Sequence, residues 1–555
     1  MGQGRPRVIH QWRPTSGSGM PSTEIGTMLI VGVTEWGPED VTESKSWTQW
    51  KDKHGGYLLS YETALQVDLY FRAAKRAGRG GKVLTKRIFH YVSHTVAGSP
   101  ASAAKGTRTL QTDAGAYGVQ STLRVDGLYY GALALTIQVL AATNGSVEHF
   151  DLLVYHPRMA SPIERFRNLT MDTTAMRYAV TVINTSAERS SYISVTDLVA
   201  SGTATQKRPA NDASAVVLTG GHDGLTALAA TDYIGGAVPQ TGLYGFGMVN
   251  EGSLLTMPDI NDYASQDLAT TWCRDLKGGT VRFITDCGQS ADKATVKTQA
   301  AALTDSIYRT AIYWPHVKVA NPDKTVYGQA ETITVRPSGQ IAGRYCFLAN
   351  DGFNGDRRGP FISPSNEQYG LLEDAVGLEG TEGTRHEALD PTVQDEVNDV
   401  GINVIVSGRR GTDGRFGVWA TRGSIGDPED DDLQSVGNMF GTAYLQRRYE
   451  DYLQRHLTQD NSEPRRRTIQ EALETDLGIW TSRGCFASTD ASDAFVVDVD
   501  PEGIGINNPL VQLAKNAFII IGLAYSSPMD FIYLVFTKDD RAVKSYMQKV
   551  AQGSK

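Results

Sequence analysis

Met28-Leu29-Ile30-Val31-Gly32-Val33 is an apolar run that predicts a buried strand. The apolar residues that follow recur at helical spacing, at Tyr61, Ala64, Leu65 and Leu69. Glycines at residues 78–81 end this helix ahead of a second apolar strand at residues 82–92. Because strand, helix and strand follow one another, the sequence predicts an α/β unit near its beginning.

Length and composition are those of a multidomain globular protein. The chain has 555 residues, of which 40% are hydrophobic and 21% charged, and this length predicts roughly three domains. No run approaches about 20 consecutive apolar residues, and residues 1–7 lack the apolar core of a signal peptide. We therefore expect a protein made and kept in the cytosol, without direct membrane insertion.

Charge and cysteine content reduce the number of function classes that the sequence allows. The net charge of -9 argues against a nucleic-acid binder, although residues 1–100 carry 13 Lys and Arg against 8 Asp and Glu. This internal polarity favours head-to-tail contact between copies. Four cysteines without metal-ligand spacing indicate buried thiols rather than a disulfide framework or a zinc site.

The pattern of residue types changes four times along the chain. Pro and Gly keep residues 1–24 extended as an N-terminal arm, and an α/β core begins at 25–95. Short β-rich runs predict an inserted domain at 96–220, after which the α/β core resumes at 221–399, with a helix near 295–311 and a strand near 313–319. Residues 400–555 form the last segment, a C-terminal α/β assembly domain. The predicted fold is thus a mixed α/β, multidomain one with a discontinuous core and extended terminal arms.

Residues 518–537 form two apolar runs separated by a Ser-Ser-Pro turn. β-Branched and aromatic residues occupy both alternations, which predicts strands covered on both faces. One interpretation is a hairpin that closes the chain's own sheet. The other is a sheet edge that a neighbouring subunit fills, since an open apolar edge invites strands from other chains.

Motifs of catalysis or cofactor binding are incomplete. Gly80-Gly81-Lys82 has Val83 where a phosphate loop needs Ser or Thr, so it indicates a turn. The acidic run at 498–503 lacks the Glu of a calcium loop, because that position is Pro509. With no His-Glu-x-x-His and no serine elbow around a usable triad, we expect no catalytic residues, no cofactor and no metal.

Three arginines on a predicted helix at residues 436–457 form a candidate contact surface. Arg447, Arg448 and Arg455 present a basic face to an acidic partner in one interpretation. In the other they belong to a solvated face and pair with Glu450 and Asp451.

In their order along the chain, several stretches resemble the tail sheath proteins of contractile phages and related contractile injection systems. The resemblance covers almost the whole chain. It departs from the family pattern at residues 6–10 and 362–366. The stretches that carry it most specifically are Val31-Gly32-Val33-Thr34-Glu35-Trp36-Gly37-Pro38, Pro337-Ser338-Gly339-Gln340-Ile341-Ala342-Gly343, Gly417-Val418-Trp419-Ala420-Thr421-Arg422 and Gln446-Arg447-Arg448-Tyr449.

This resemblance implies a non-enzymatic subunit of a phage (myovirus) tail. Such subunits stack in helical rings around an inner tail tube protein, meet baseplate and tail terminator proteins at the ends, and contract to drive the tube through the host envelope. Assembly would take place in the host bacterial cytoplasm, with the β-rich domain on the outer surface. The resemblance also implies that the terminal segments complete sheets in adjacent subunits.

The residues assigned to these inter-subunit contacts come from both ends of the chain. The helix arginines Arg447, Arg448 and Arg455 are assigned to the tube. The arm and strand residues are Arg7, Val8, Ile9 and Trp12 at the N-terminus, and Phe518, Ile520, Phe531, Tyr533 and Val535 at the C-terminus.

Two other classes of protein remain open from the sequence. One is a cytosolic α/β enzyme or nucleotide-binding protein with a β insert, which the incomplete phosphate, metal and nucleophile motifs disfavour. The other is a static structural protein, such as a tail tube or shell subunit.

Overall fold

A nine-stranded sheet forms the centre of the molecule. The computed structural model describes residues 20, 24–75, 81–90, 103–112, 118–131, 133–199, 202–238, 240–303, 310–351, 355–380, 386–407, 415–419 and 435–526. The strands, in chain order, are β1 (Met28–Gly32), β2 (Thr42–Ser44), β3 (Val83–Arg87), β4 (Ala103–Ala104), β5 (Thr107–Gln111), β6 (Ser121–Gly127), β7 (Thr136–Ala141), β8 (His149–Tyr155), β9 (Glu164–Thr170), β10 (Ile193–Asp197), β11 (Val216–Val217), β12 (His222–Asp223), β13 (Leu254–Thr256), β14 (Arg282–Asp286), β15 (Thr310–Trp314), β16 (Val317–Ala320), β17 (Thr332–Val335), β18 (Leu371–Leu372), β19 (Ala375–Leu378), β20 (Ile402–Ser407), β21 (Phe416–Val418), β22 (Phe495–Asp498) and β23 (Ile520–Leu523).

Helices connect these strands and cover the sheet. The α-helices are α1 (Trp47–His54), α2 (Thr63–Lys75), α3 (Ala179–Asn184), α4 (Ala204–Lys207), α5 (Ala230–Ile234), α6 (Tyr263–Asp275), α7 (Lys293–Ala302), α8 (Lys324–Tyr327), α9 (Ser338–Asp351), α10 (Asn366–Tyr369), α11 (Pro391–Asn398), α12 (Val436–Leu453), α13 (Glu463–Ser482), α14 (Ala491–Ala494) and α15 (Pro509–Leu513). Single 3-10 turns lie at Leu225–Ala227, Gly242–Phe246, Gly359–Phe361, Glu387–Leu389 and Gln454–His456.

The central sheet has the strand order β18-β21-β20-β15-β14-β13-β1-β3-β2. Its inner strands, from β20 to β3, pair in parallel, while β2, β21 and β18 add antiparallel edges. Parallel strands need helical crossovers that cover both faces of the sheet. Alternate residues of β1 accordingly enter two different hydrophobic clusters, Met28 and Ile30 one, and Leu29 and Val31 the other. The predicted mixed α/β fold is confirmed.

The β-rich insert has its own hydrophobic core. Strands β5, β6 and β10 form one sheet and β7, β8, β9 and β11 another, and their inward residues share one cluster. At its neck, β4 pairs antiparallel with β12. Trp36 of the core stacks on Tyr192 of the insert with ring centroids 5.3 Å apart, and Arg158 pairs with Glu35 at 2.6 Å, so the insert is docked against the core.

Three sequence expectations differ from the structure, the first being the strand near 313–319, which is divided between β15 and β16. The helix expected at 295–311 ends at Ala302, and Thr310 already begins β15. The reason is tertiary, since β15 is buried and pairs with both β14 and β20. The central sheet also continues through β20 and β21, past residue 400, where the last segment was expected to begin. The exact domain boundaries stay predictions.

Candidate assembly interface

The two longest helices, α12 and α13, carry a small sheet near the end of the described chain. Helix α13 begins after Ser462 with Pro464 in its first turn, a position where proline costs no backbone hydrogen bond. Its residues Leu473, Leu477 and Trp480 are buried against Tyr449 of α12. We call this group, α12 to β23, the C-terminal unit.

The small sheet consists of β22 and β23 paired antiparallel, with Phe495 opposite Leu523 and Asp498 opposite Ile520. Beyond this ladder, Ala487 donates its N–H to the carbonyl of Ala524 at 2.9 Å. The apolar run that follows residue 517 therefore lies beside its own chain. The first half of the predicted hairpin is a strand here, and its partner is β22.

The two faces of this sheet differ. Val497, Ile521 and Leu523 point into the cluster around α13. On the opposite face Val496, Phe518 and Ile520 are 61%, 52% and 53% exposed, and the exposed Asp498 lies on this face across from Ile520. Exposed apolar side chains that lie together mark a surface that a partner covers, so this outer face favours a covering partner.

The edges of the sheet favour the same conclusion. Within the part of the chain that the structure describes, β22 and β23 pair only with each other. A two-stranded ribbon is marginal by itself in water, and each unpaired edge leaves N–H and C=O groups available to another strand. The geometry therefore suits the addition of a further strand.

Of the residues predicted for inter-subunit contact, Phe518 and Ile520 are placed at this exposed face. Phe531, Tyr533 and Val535 lie outside the described residues, as do the arm residues Arg7, Val8, Ile9 and Trp12. Their roles stay predictions.

Arg447 is buried rather than presented to a partner. Its side chain is part of the protein interior, with the residue 6% exposed, and its guanidinium donates to the carbonyl of Gly252 at 2.5 Å and to that of Glu24. Burial lowers the pKa of this guanidinium. The arginine thus joins α12 to the start of the core.

Arg448 is held by the neighbouring helix. Its guanidinium donates to both carboxylate oxygens of Asp476, at 2.8 and 3.1 Å, and Trp480 donates to the same carboxylate at 3.2 Å. Burial lowers the pKa of Arg448, but the hydrogen bond to Asp476, together with the charges of Tyr444, Asp476 and Tyr449, raises the pKa above its ordinary value. Neither arginine belongs to a solvated face paired with Glu450 and Asp451, which was one of the two interpretations of the sequence. Arg455 is exposed, and the tube-facing role stays a prediction.

Sequence reasoning missed two parts of this interface. Asp476 lies inside an apolar helical face, where its spacing gave no hint of Arg448. Strand β22 was missed because it is short and runs into the acidic segment at 498–503. The alternation of apolar residues in Phe495-Val496-Val497 was the available signal.

The lysine of the Gly-Gly-Lys motif forms ion pairs with carboxylates. Lys82 Nζ lies 3.2 Å from Glu24 and 3.0 Å from Glu43, and it also pairs with Glu251. Burial lowers the pKa of Lys82, whereas the bonds to Glu251, Glu43 and Glu24 raise it above the ordinary value. A lysine paired with three carboxylates is not available to a phosphate, and the predicted turn at Gly80 lies outside the described residues.

In the acidic loop at 498–503, the Asp500 carboxylate is bound by backbone N–H groups of the same loop region. The Asp500 carboxylate accepts N–H groups from Gly505 at 2.7 Å, Asn507 at 2.9 Å, and Gly503 and Ile504 at 3.2 Å. Oxygens bound in this way are not left for a calcium ion. Across the described ranges, no group of three or more His, Cys, Asp or Glu could hold a metal. The helices there also include none long and apolar enough for a membrane span.

Several solved structures have an architecture similar to that of this chain. A tail sheath protein of Listeria innocua matches 91% of this chain and 96% of its own, at 13% identity and a TM-score of 0.55. One from Desulfitobacterium hafniense covers 89% and 94% at 12% identity and a TM-score of 0.52. The helical sheath of the anti-feeding prophage, in its contracted state, covers 97% and 100% at 16% identity and a TM-score of 0.51.

The chain has the fold of the contractile sheath proteins. This sheath fold was expected from the resemblance in sequence, and the match extends over nearly the full length of each protein. Comparisons with family models and with curated proteins found no match.

Proposed function

We propose that this chain is the structural, non-enzymatic subunit of a contractile sheath, which polymerises helically around an inner tube and shortens to drive that tube through a cell envelope. The observation that carries the proposal is the sheath fold over almost the entire chain. The C-terminal unit supports it, because its open, two-stranded sheet has an exposed apolar face.

In this proposal the copies are linked by strand addition. A terminal segment of one copy adds to the β22–β23 sheet of the next and forms main-chain hydrogen bonds that a rigid movement of the cores does not break. Contacts that repeat head to tail without closing produce a helix. The phage tail, with a tail tube, a baseplate and a terminator as partners, is the setting we propose.

Contraction would then be a change between two packings of the same subunits. The extended packing is held by a kinetic barrier, and the drop in free energy is summed over many modest contacts per subunit. No nucleotide is needed for such a change.

Negative-stain microscopy of the purified protein tests this function. We expect hollow, ringed cylinders from the full chain. Deletion of residues 1–19, or of residues 527–555, should leave a folded core that forms no cylinders. As a matched control, Val147→Asp alters an exposed residue of the insert and should leave the cylinders intact. Cylinders formed normally by both truncated chains would contradict strand exchange, and small monodisperse particles from the full chain would contradict the sheath function.

A further inference from the structure

The backbone just after the N-terminal arm is held by an unusual series of side chains. The carbonyl of Glu24 accepts from Arg447, that of Ile25 from Asn350 Nδ2 at 3.1 Å, and that of Gly26 from the Tyr70 hydroxyl at 2.6 Å. The carbonyl of Thr27 accepts backbone N–H groups from residues 253 and 254, both at 3.1 Å. Each of the four consecutive carbonyls therefore has a donor before β1 begins at Met28.

The donors come from separate parts of the core. Arg447 lies on α12, Asn350 on α9 and Tyr70 on α2, while the last contact is made by the start of β13. Each of these elements packs in the central body of the molecule. A pull on this short segment would thus be shared among three helices and one strand.

The fit around the segment is close. Gly26 has a φ of +79°, and a Cβ there would lie 2.6 Å from the Cα of Cys346, so only glycine is accommodated without displacing α9. Tyr70 is fully buried, and its hydroxyl also accepts the N–H of Lys82 at 3.1 Å. The same hydroxyl therefore connects the segment to the residue before β3. Strand β3 flanks β1 on the side opposite to β13.

We propose that Arg447, Asn350 and Tyr70 are positioning residues that anchor the root of the N-terminal arm, so that tension on the arm enters the central sheet at β1. We call residues 24–27 and these three side chains the arm anchor. The proposal rests on the proposed function for the source of the tension, since an arm engaged in a neighbouring copy is what would pull. It also gives Arg447 a role different from the tube contact expected from the sequence.

The anchor also explains where movement is absorbed. If residues 24–27 stay fixed to the core during contraction, the joint must lie before residue 24. Residues 15–19 lie outside the described residues, and their polar, glycine-rich composition predicts a linker.

Hydrogen exchange on the full-length protein tests the anchor without requiring polymers. Tyr70→Phe removes one hydroxyl and keeps the ring. We expect the amides of residues 25–33 to exchange about tenfold faster, because the hydrogen bonds of this hydroxyl to Gly26 and Lys82 are lost at the root of β1. Arg447→Met should give an increase on the order of tenfold to a hundredfold in the same amides, since a charged donor is removed.

Tyr313→Phe is the matched control. Tyr313 is another fully buried tyrosine of the same cluster, and among the described residues its hydroxyl has no hydrogen-bond partner. Its removal should leave residues 25–33 unchanged. The amides of β14 serve as an internal reference, because a general loss of stability would accelerate them as well.

The outcomes separate the anchor from the proposed function. Selective acceleration of residues 25–33 supports the anchor, whether or not the protein forms cylinders. Exchange that is unchanged in both Tyr70→Phe and Arg447→Met, or that rises equally in β14, overturns it. The sheath function is judged on the cylinders alone.

Discussion

At the scale of single residues, burial shifts the pKa values of ionisable side chains in the interior of this molecule. Asp286 ends β14 at the carboxyl edge of the parallel sheet and is buried. Burial raises the pKa of its carboxyl to about 7, nearby Glu62 adds to the rise, and Ser338 and Arg336 oppose it. Folding therefore favours the protonated carboxyl.

This shift predicts a pH dependence with a definite sign. The unfolded carboxyl ionises near 3.8 and the folded one near 7, so the contribution of Asp286 to stability is present below about pH 4 and is lost as the pH rises to 7. The slope is at most about 1.4 kcal/mol per pH unit. Asp286→Asn should reduce the fall in apparent Tm between pH 5 and 8 by differential scanning fluorimetry. Exposed Asp493→Asn should not, and equal curves for wild type and Asp286→Asn would contradict the shift.

The buried pair of Arg448 and Asp476 predicts a second effect. Arg448→Met leaves a carboxylate that is buried and has lost its cation, which should destabilise the C-terminal unit by about 3 kcal/mol. The double variant Arg448→Met with Asp476→Leu should recover most of that loss, because both charges are gone. Chemical denaturation monitored by the tryptophan fluorescence measures it.

A surface pair supplies the control for this prediction. Arg467 bonds Glu463 at 3.0 Å with both side chains about half exposed, so Arg467→Met should cost less than about 0.5 kcal/mol. A double variant at Arg448 and Asp476 that is less stable than the single one would contradict the interpretation.

The same arginines mark a limit of prediction from sequence. Helical spacing identified α12 and its arginines, but not the direction of their side chains. The partners of Arg447 lie 195 and 423 positions away in the chain, so no local pattern contains them. A short run of charge looks the same whether it faces solvent or backbone carbonyls.

At the scale of elements, apolar runs were reliable where a strand is buried on both faces. The run at 28–33 was predicted from β-branched and aliphatic residues, and β1 is buried throughout. The helix expected at 295–311 was extended too far because Thr310 and Ala311 fit a helical pattern as well as a strand. Pairing with β14 and β20 decides between the two, and pairing is not local.

The exposed face of the β22–β23 sheet yields a prediction at this scale. Ile520→Asp places a charge on the outer face and leaves the inward residues of β23 in place. We expect the variant to fold, with an apparent Tm within a few degrees of wild type, and to form no cylinders, because a charge on a covered apolar face is costly to desolvate. Sedimentation of polymers measures the result.

Leu59→Asp is the matched control for this variant. Leu59 is 71% exposed and lies in the turn before α2. It should sediment as wild type does. Normal polymers from Ile520→Asp would mean that this face stays in water.

At the scale of the whole molecule, the body has complete hydrophobic cores, whereas the small sheet of the C-terminal unit is open among the described residues. The central sheet buries its inner strands on both faces, and the insert has its own core. The C-terminal unit instead presents a ribbon of two strands with open edges in the described chain. Apolar residues on both alternations left two interpretations of residues 518–537 open in the sequence, a hairpin of the chain's own sheet or an edge filled by a neighbour, whereas the docking of the insert by Trp36 and Tyr192 required the structure.

In the proposed sheath, another copy completes the β22–β23 sheet. A cryo-electron microscopy map of the assembled protein tests it most directly, because the chain identity of each strand beside Phe495–Asp498 and Ile520–Leu523 can be traced. We expect at least one additional strand that belongs to a neighbouring copy. A map in which the sheet keeps free edges, or in which residues 527–555 of the same chain fill them, would contradict it.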